Sequence, residues 1–477
     1  MKVCIFGKYP PIQGGVSMRT YWVAHGLAKL GHTVHVITNA NEVTSPYRMF
    51  MREEDWQRCD GTYGEGSVTV HWTKSYGRRQ GHIPAGTPYV TKLASIGLDL
   101  AHEQDFDLVY SYYVEPYGVA AHIVAQATGL PHVVRTAGTD AGRLWDLPQF
   151  VGLYDLIFKS ADAVLCSRSV VPKMLEIGAE PSRVIWDFEK HVNLLELFAP
   201  DGPVLDVDLL RNLALGGGKD LRGQEQEFGG LLFGEFDPSL RYFGVYGKLG
   251  KTKGTPSLLA ALKRMKDRGL PAGLLVMAHE RPAAPDAFRD YVKANGLEDR
   301  VCQLPFLPHW RVAEFIRRCV AVCCLEQDFP ITFHDPVTAR EVLTGGGCLI
   351  GSTEVIQKLP DAHKVRDGYN CIAVGDVKQV DDLERQMISV LDQPERVEQI
   401  RRRARQYAVE LEAGNTFPRQ LAAMLGDIAG AGGRFPRNLH RQPMQSGGRR
   451  AETISGALLR GQTPLFRTQP EFQETSR

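Results

Sequence analysis

Residues 320–350 carry the pattern that most restricts the fold of this chain. The apolar run 320–325 is followed by a loop, a short amphipathic helix, three consecutive glycines and a second apolar run at 348–350. Asp335 and Pro336 predict the helix start, with Asp335 as the N-cap and Pro336 at the first helical position. Two short buried strands joined through a helix form one unit of a parallel sheet, because parallel neighbours need a long crossover.

The N-terminus of this helix is expected at the C-terminal edge of the sheet, where ligands bind in open α/β folds. Free backbone N–H groups attract phosphate there, and Glu341 shares a helix face with Val337, one turn inside. A carboxylate in that position can accept hydrogen bonds from ribose hydroxyls. An ordinary crossover helix with a solvated glutamate is the alternative, and these residues alone leave both open.

The same strand–helix alternation runs through most of the chain. It begins at residues 3–6, lapses across residues 201–237 and restarts at residue 242. The pattern predicts an α/β protein with two doubly wound, Rossmann-like domains that face each other across a cleft. The predicted parts are a first domain at 1–200, a connector or insertion at 201–238, a second domain at 239–426 and a disordered tail at 427–477.

Three further segments have predictions of their own. Residues 48–86 are polar, aromatic and rich in turns, and apart from a strand at 68–72 they are interpreted as a long functional loop, with an irregular insertion as the alternative. The segment after residue 426 is rich in Gly, Pro, Gln and Arg and has little to bury, which predicts disorder. A helix at 417–425 is expected to cross back onto the first domain.

Composition excludes several classes of function. The formal net charge is +1, which gives no support for a nucleic-acid partner. No apolar run approaches the roughly 20 residues that span a bilayer, and the N-terminus has no signal-peptide pattern. The nine cysteines include no CxxC pair, so zinc is not expected, and reduced thiols predict a cytoplasmic protein without a metal site.

A basic loop follows the first strand of the second predicted domain. Residues 247–254, GKLGKTKG, place three lysines among three glycines at a strand-to-helix turn. Small residues let backbone N–H groups approach a diphosphate, and the ammonium groups neutralise it. The loop lacks the Walker A pattern, and residues 7–15 lack GxGxxG, so no hydride-transfer cofactor is expected. A solvated basic turn is the alternative.

Five segments resemble one family when taken in order. They are PPIQGGVSMRTYWVAHGLAKLGHTVHVIT at 10–38, LPHVVRTAGTD at 130–140, SADAVLCSRSVVPKMLEIGAEPSRVI at 160–185, YGKLGKTKG at 246–254 and RDGYNCIAVGDVKQVDDLERQMISVLDQPE at 366–395. In this order they are similar to five elements of family 4 retaining glycosyltransferases of the GT-B fold: the opening strand with its GG loop and helix, the HGxD segment, the ADxVIxxS segment, the VGRLxxxKG loop and the closing segment of the second domain. The resemblance is collinear over roughly residues 1–425.

The resemblance implies roles for individual residues. Gly14 and Gly15 would close on the donor's diphosphate and sugar, and Glu341 would hold the ribose. Gly247, Asp335 and Val337 are expected in the same donor site. The residues expected at the reaction centre are Lys248 and Lys253, which would balance charge on the leaving nucleotide, Asp140, near the reacting sugar, and Glu326.

Three positions depart from the family pattern. Phe333 stands where the family has the first Glu of Glu-x7-Glu, and Glu326 or Asp335 could substitute for it. Ala137 stands where the family often has His. Lys248 replaces an Arg, which keeps the charge but loses the bidentate fork.

The resemblance implies a retaining, metal-independent glycosyltransferase that uses a nucleoside diphosphate sugar as substrate and needs no cofactor. The acceptor, held by the first domain, could be a carbohydrate, a lipid-linked molecule or a small metabolite. The alternatives are a catalytically silent GT-B subunit that binds an active enzyme, which Phe333 and Ala137 favour, and a nucleotide-sugar epimerase or a phosphorylase on the same fold.

Overall fold

The computed structural model describes residues 1–74, 89–186, 195, 198–217, 227–279, 287–330 and 336–431. Two sheets organise this part of the chain, one built from residues 1–186 (the first half) and one from residues 227–431 (the second half). Both are doubly wound, so the predicted α/β fold with two Rossmann-like sheets is confirmed. The predictions for residues 75–88, 331–335 and 432–477 lie outside the described residues.

The first sheet has eight strands in the described part of the chain, in the order β3-β4-β2-β1-β5-β6-β7-β8. Neighbouring strands are parallel except for the pair β3–β4. Strand β1 is almost completely buried, as expected for a parallel strand covered on both faces. The strands are β1 (Lys2–Gly7), β2 (Thr33–Thr38), β3 (Gly61–Tyr63), β4 (Gly66–Trp72), β5 (Leu108–Tyr112), β6 (His132–Arg135), β7 (Ala163–Leu165) and β8 (Val184–Ile185).

Helices connect these strands, and each packs an apolar face on the sheet. Helix α1 is an example: its buried residues recur at helical spacing, and Gly31, at φ 86°, turns the chain into β2. The helices of this half are α1 (Gly15–Lys29), α2 (Glu53–Trp56), α3 (Tyr89–Glu103), α4 (Val119–Thr128), α5 (Gly138–Gly142), α6 (Pro148–Ser160) and α7 (Val171–Glu176), with a π-helical turn at Val114–Gly118.

The second sheet has the order β11-β10-β9-β12-β13-β14, with all of its recorded strand pairs parallel. Its strands are β9 (Arg241–Lys248), β10 (Ala272–His279), β11 (Val301–Gln303), β12 (Ala321–Cys324), β13 (Leu349–Ser352) and β14 (Ile372–Val374). The helices from the connector onward are α8 (Val207–Gly216), α9 (Thr255–Asp267), α10 (Ala287–Ala294), α11 (Val312–Arg318), α12 (Val337–Thr344), α13 (Thr353–Gln357), α14 (Val380–Asp392), α15 (Pro394–Ala413) and α16 (Phe417–Gly430).

The start of α12 differs from the prediction. The helix begins at Val337, and Pro336 is its N-cap residue rather than its first helical residue. Pro336 has ψ 69°, which is outside the helical region, so the chain enters the helix one residue later than predicted. Asp335, the predicted N-cap, lies outside the described residues.

The connector contains a helix that was not predicted. In α8 the Asp206 side chain accepts a hydrogen bond from the Leu209 backbone N–H at 2.9 Å, and Val207, Leu210 and Ala214 are buried. An Asp N-cap followed by apolar residues at this spacing is a helix signal. The surrounding glycines and proline hid it in the sequence.

The C-terminal helix confirms the predicted crossing back to the first half but extends further. Helix α16 continues to Gly430, so residues 427–430 of the predicted disordered tail are helical, and Ile428 is completely buried. The helix packs on α1, where a methyl group added at Gly26 would lie 3.4 Å from Pro418. Burial of the apolar face explains the longer helix.

The insertion after β2 is largely ordered between residues 48 and 74. The predicted strand is confirmed as β4, but Phe50 and Trp56 are buried and the Phe50 backbone N–H donates to the Phe306 carbonyl of the second half at 2.7 Å. This part of the predicted functional loop therefore connects the two halves. Within the part of the chain that the structure describes, every helix is too short or too polar to span a bilayer.

Candidate functional site

In each sheet the order in which the chain adds strands reverses at the first strand of that half, which is called the switch point. The predicted site residues lie near these two switch points. In the first sheet the chain progresses from β1 to β2 on one side and to β5 on the other, and in the second sheet β9 lies between β10 and β12. The crevice beyond such a switch point is where open α/β sheets bind ligands. Lys8 follows β1 and Lys248 ends β9, and burial together with the charge of Lys248 lowers the pKa of Lys8. The ends of these two strands are therefore close enough for their charges to interact.

The basic loop of the second half has the backbone that its glycines predict. Gly247, Gly250 and Gly254 have φ values of 106°, 135° and 70°, which side chains rarely tolerate. At Gly254 an added methyl group would also lie 2.5 Å from the Cβ of Leu325. The loop is consequently held against the end of β12, and Lys248 is exposed at its start.

Lys253 and Glu326, both predicted at the reaction centre, contact each other. The Lys253 ammonium forms an ion pair with the Glu326 carboxylate and lies 4.0 Å from the centre of the Phe329 ring. Glu326 is only 7% exposed. Its backbone carbonyl accepts a hydrogen bond from Ser352 Oγ at 2.5 Å, which fixes the end of β12 against the start of α13. Because both side chains of this ion pair are largely buried, removing either one would leave the other as an uncompensated buried charge.

Glu341 is buried and partly satisfied by its own half of the protein. The Tyr246 hydroxyl donates to Glu341 Oε2 at 2.8 Å, and burial together with the Glu341 charge raises the pKa of Tyr246 well above its usual value. His309 Nδ1 lies 3.8 Å from Glu341 Oε1. Among the residues that the structure describes, neither Glu341 Oε1 nor His309 Nε2 has a hydrogen-bond partner. Buried polar atoms normally have one, so this corner can accept a polar ligand.

Asp140 is also buried, and within the described part of the chain its side chain accepts hydrogen bonds from backbone N–H groups. Oδ1 accepts from the N–H groups of Ala137 and Ala141 at 2.8 Å, and Oδ2 accepts from that of Val114 at 3.0 Å. Burial raises the pKa of Asp140 to about 7, although the three N–H groups oppose the shift. The carboxylate therefore ties the loop after β6 to the turn after β5, and this contact defines the shape of the first sheet's switch point.

The glycines of the first loop leave the N-terminus of α1 open. Gly14 has φ 106°, and a methyl group added at Gly14 or Gly15 would meet no atom of the described residues within 4 Å. Both residues are exposed, and the first turn of α1 carries no acidic side chain. The backbone N–H groups and the helix dipole favour an anion at this position.

The remaining predicted residues are less informative. Val337 is the first residue of α12, and its side chain is partly buried against the core. Its backbone N–H belongs to the first turn of the helix, where such groups have no partner within the helix. Asp335 and Phe333 lie outside the described residues.

Sequence reasoning missed three residues of this site. Tyr246 and His309 are 95 and 32 positions from Glu341, and no spacing in the sequence relates them to it. Lys8 could have been predicted from the sequence, because it directly follows the first strand and lies in the loop that contains Gly14 and Gly15. The ends of strands next to a switch point are the positions to search for such residues.

Comparisons with known proteins agree with this geometry. A family model described as Glycosyl transferase 4-like domain matches residues 14–185. A search of curated protein sequences found no match.

Solved structures that resemble the chain do so over almost its whole length. Anabaena HepE in complex with UDP and glucose shares 15% identity and a TM-score of 0.55, covering 89% of this chain and 99% of its own. Sucrose-phosphate synthase from Thermosynechococcus elongatus shares 14% identity and a TM-score of 0.55, covering 90% and 99%. A glycosyltransferase from Rickettsia africae shares 13% and 0.55, covering 90% and 98%. At these identities the likeness concerns the fold.

The match over residues 14–185 and the two facing sheets confirm the resemblance predicted from the sequence. The chain has the GT-B fold of these solved glycosyltransferases, and its residues 14–185 match the model of a glycosyl transferase 4-like domain.

Proposed function

We propose that this protein transfers a sugar, with retention of the anomeric configuration, from a nucleoside diphosphate sugar to an acceptor bound by the first half. The observation that carries the proposal is the arrangement at the end of β9. There the basic loop lies on the same sheet edge as Glu341, a buried carboxylate with one oxygen unpartnered among the described residues. A cationic loop for the diphosphate beside a buried acceptor for ribose hydroxyls fits a nucleotide.

In this proposal each group has a distinct task. Glu341 Oε1 accepts hydrogen bonds from the ribose, while Tyr246 holds Oε2. Lys248 and Lys253 neutralise the diphosphate, with Gly247 allowing the backbone to approach and the start of α12 at Val337 lying beside it. Gly14 and Gly15 approach the sugar and the diphosphate from the first half.

The reaction breaks the bond between the anomeric carbon and the diphosphate oxygen and forms one from the same face to the acceptor oxygen. The acceptor's proton passes to an oxygen of the departing diphosphate, so the nucleoside diphosphate leaves with the electron pair and a proton. Charge on that leaving group grows in the transition state, and preorganised lysines stabilise it most at that point. Because lysines and helix N-termini can balance this charge, the proposed reaction needs no metal ion.

Glu326 and Asp140 have supporting places in the proposal. Glu326 orients Lys253 through their ion pair and lies at the cleft edge, where it can contact the sugar. Asp140 fixes the loop next to the reacting sugar through its three backbone hydrogen bonds. The structures of HepE in complex with UDP and glucose and with UDP-glucose make uridine nucleotides the first donors to test.

The test is turnover of a panel of sugar nucleotides, with release of the nucleoside diphosphate measured with and without candidate acceptors. Carbohydrates, lipid-linked saccharides and small metabolites form the acceptor panel. Transfer with retained configuration, seen by NMR and unaffected by EDTA, supports the proposal. Formation of an epimeric sugar nucleotide without transfer would identify an epimerase. Binding without any turnover would identify a silent subunit.

A further inference from the structure

Lys8 occupies the switch point of the first sheet. It directly follows β1, and Tyr113 directly follows β5; the last residues of these strands, Gly7 and Tyr112, are paired in register. The Lys8 ammonium lies 4.4 Å from the centre of the Tyr113 ring. Tyr113 has φ 81°, an uncommon conformation for a residue with a side chain. Strained backbone of this kind is concentrated at ligand sites, and here it places the ring beneath the ammonium.

The charges around Lys8 do not compensate it. Among the described residues its ammonium has no hydrogen-bond or ion-pair partner. Asp140 attracts it, but both carboxylate oxygens of Asp140 already accept backbone N–H groups. Partial burial and the charge of Lys248 both lower the pKa of Lys8. Two ammonium groups, one from each half, therefore act on each other across the cleft, and an anion between them would relieve the repulsion.

We infer that Lys8 is a ligand of the donor's diphosphate from the first half, so that the phosphates lie between Lys8 and Lys248 and draw the two halves together. This inference rests on the proposed function and adds a residue to its site. The diphosphate suits the position because it carries more than one negative charge on two linked phosphates, so that it can contact Lys8 and the basic loop at the same time. The open N-terminus of α1, in the same loop as Lys8, favours an anion at the same place.

The test measures binding of UDP, inorganic pyrophosphate and uridine to the full chain by calorimetry. Lys8→Met should weaken UDP and pyrophosphate about 10- to 100-fold, as expected for the loss of one charge-assisted contact, and leave uridine binding unchanged. Lys8→Arg should restore most of the affinity for both phosphates. Lys159→Met is the matched control, because Lys159 is exposed near the end of α6, at the opposite edge of the first sheet.

The melting temperature separates a ligand from a structural residue. Because Lys8 is a partly buried charge without a partner among the described residues, Lys8→Met should not lower the melting temperature of the free protein, and Lys8→Gln provides a second variant. Unchanged phosphate affinity in Lys8→Met, or equal losses for uridine and UDP, would overturn the inference. If the wild-type protein turns over sugar nucleotides while Lys8→Met binds and reacts normally, only this inference fails. If no sugar nucleotide is turned over although pyrophosphate binding depends on Lys8, the proposed function fails instead.

Discussion

The Trp310 indole N–H of the second half donates to Asp55 Oδ1 of the first half at 2.7 Å. Asp55 is 1% exposed, and its other oxygen lies 3.6 Å from Arg311 Nη1. The ring of Tyr21 on α1 is 5.1 Å from that of Trp310, so the polar contact is embedded in aromatic packing. The insertion after β2 thus fixes how the two switch points face each other on this side of the cleft.

Asp55→Ala should destabilise the protein, because it leaves a buried indole N–H without its acceptor. It also removes the carboxylate nearest to Arg311 Nη1, although Glu314 still pairs with the other side of that guanidinium. We expect a loss of about 1–3 kcal/mol in the free energy of unfolding, measured by urea denaturation. Glu53→Ala, an exposed change on the same short helix, is the control and should change stability by no more than about 0.5 kcal/mol. Equal stability of the two variants would show that the contact does not hold the halves together.

The lysines of the basic loop can be separated by their surroundings. Lys248→Ala and Lys253→Ala should each lower kcat/KM for the donor about 10²-fold or more, since each removes charge that stabilises the departing diphosphate. Lys251→Ala, an exposed lysine in the same loop, serves as the control and should retain nearly full activity. Near-normal rates for both Lys248→Ala and Lys253→Ala would show that this loop does not bind the diphosphate.

Stability gives an independent distinction between the same two lysines. Lys253→Ala leaves the buried Glu326 carboxylate without its cation, whereas Lys248 is exposed. Lys253→Ala should therefore lower the melting temperature more than Lys248→Ala does, and adding Glu326→Ala to Lys253→Ala should restore part of the loss. A melting temperature that falls equally in both single variants would contradict this assignment.

Much of the fold could be predicted because its signals are local. The strands predicted at residues 3–6 and 68–72 lie within β1 and β4, since an apolar or alternating run marks each of them. Helix α8 was missed because the glycines and proline around it dominated a short amphipathic pattern. Its cap and three buried residues carry only weak information in the sequence, and packing against the rest of the second half completes the helix.

The site was harder to predict because its contacts are long-range. Glu341 and the basic loop have recognisable positions in a strand–helix unit, so they could be proposed from the sequence. The contact between Glu341 and His309 depends on how the loop after β11 folds over α12, which no residue spacing encodes. Lys8 and Lys248 are 240 positions apart and influence each other only because the two sheets face across the cleft.

Glu341→Gln should raise the KM for the donor with a smaller effect on kcat, because an amide accepts hydrogen bonds from two hydroxyls less well than a carboxylate. Tyr246→Phe should act in the same direction but more weakly, since it removes only the hydrogen bond that orients Oε2. Glu298→Gln, at an exposed glutamate of the second half, is the control. An effect confined to kcat would place Glu341 at the reacting sugar rather than at the ribose.

The pH dependence of stability tests the environment of Asp140. Burial raises its pKa in the folded protein to about 7, compared with about 4 when unfolded, so the folded state holds this proton more tightly. As the pH rises from about 4 to about 7, the unfolded state releases the proton first, and the stabilisation contributed by the neutral carboxyl group is progressively lost. Asp140→Asn cannot titrate. Urea denaturation should therefore show that the wild type's advantage over this variant in free energy of unfolding shrinks as the pH rises over this range. Asp105→Asn, at an exposed site, is the control and should follow the wild type. A wild-type advantage over Asp140→Asn that grows with pH would mean that the three backbone N–H groups outweigh burial and keep the carboxylate ionised.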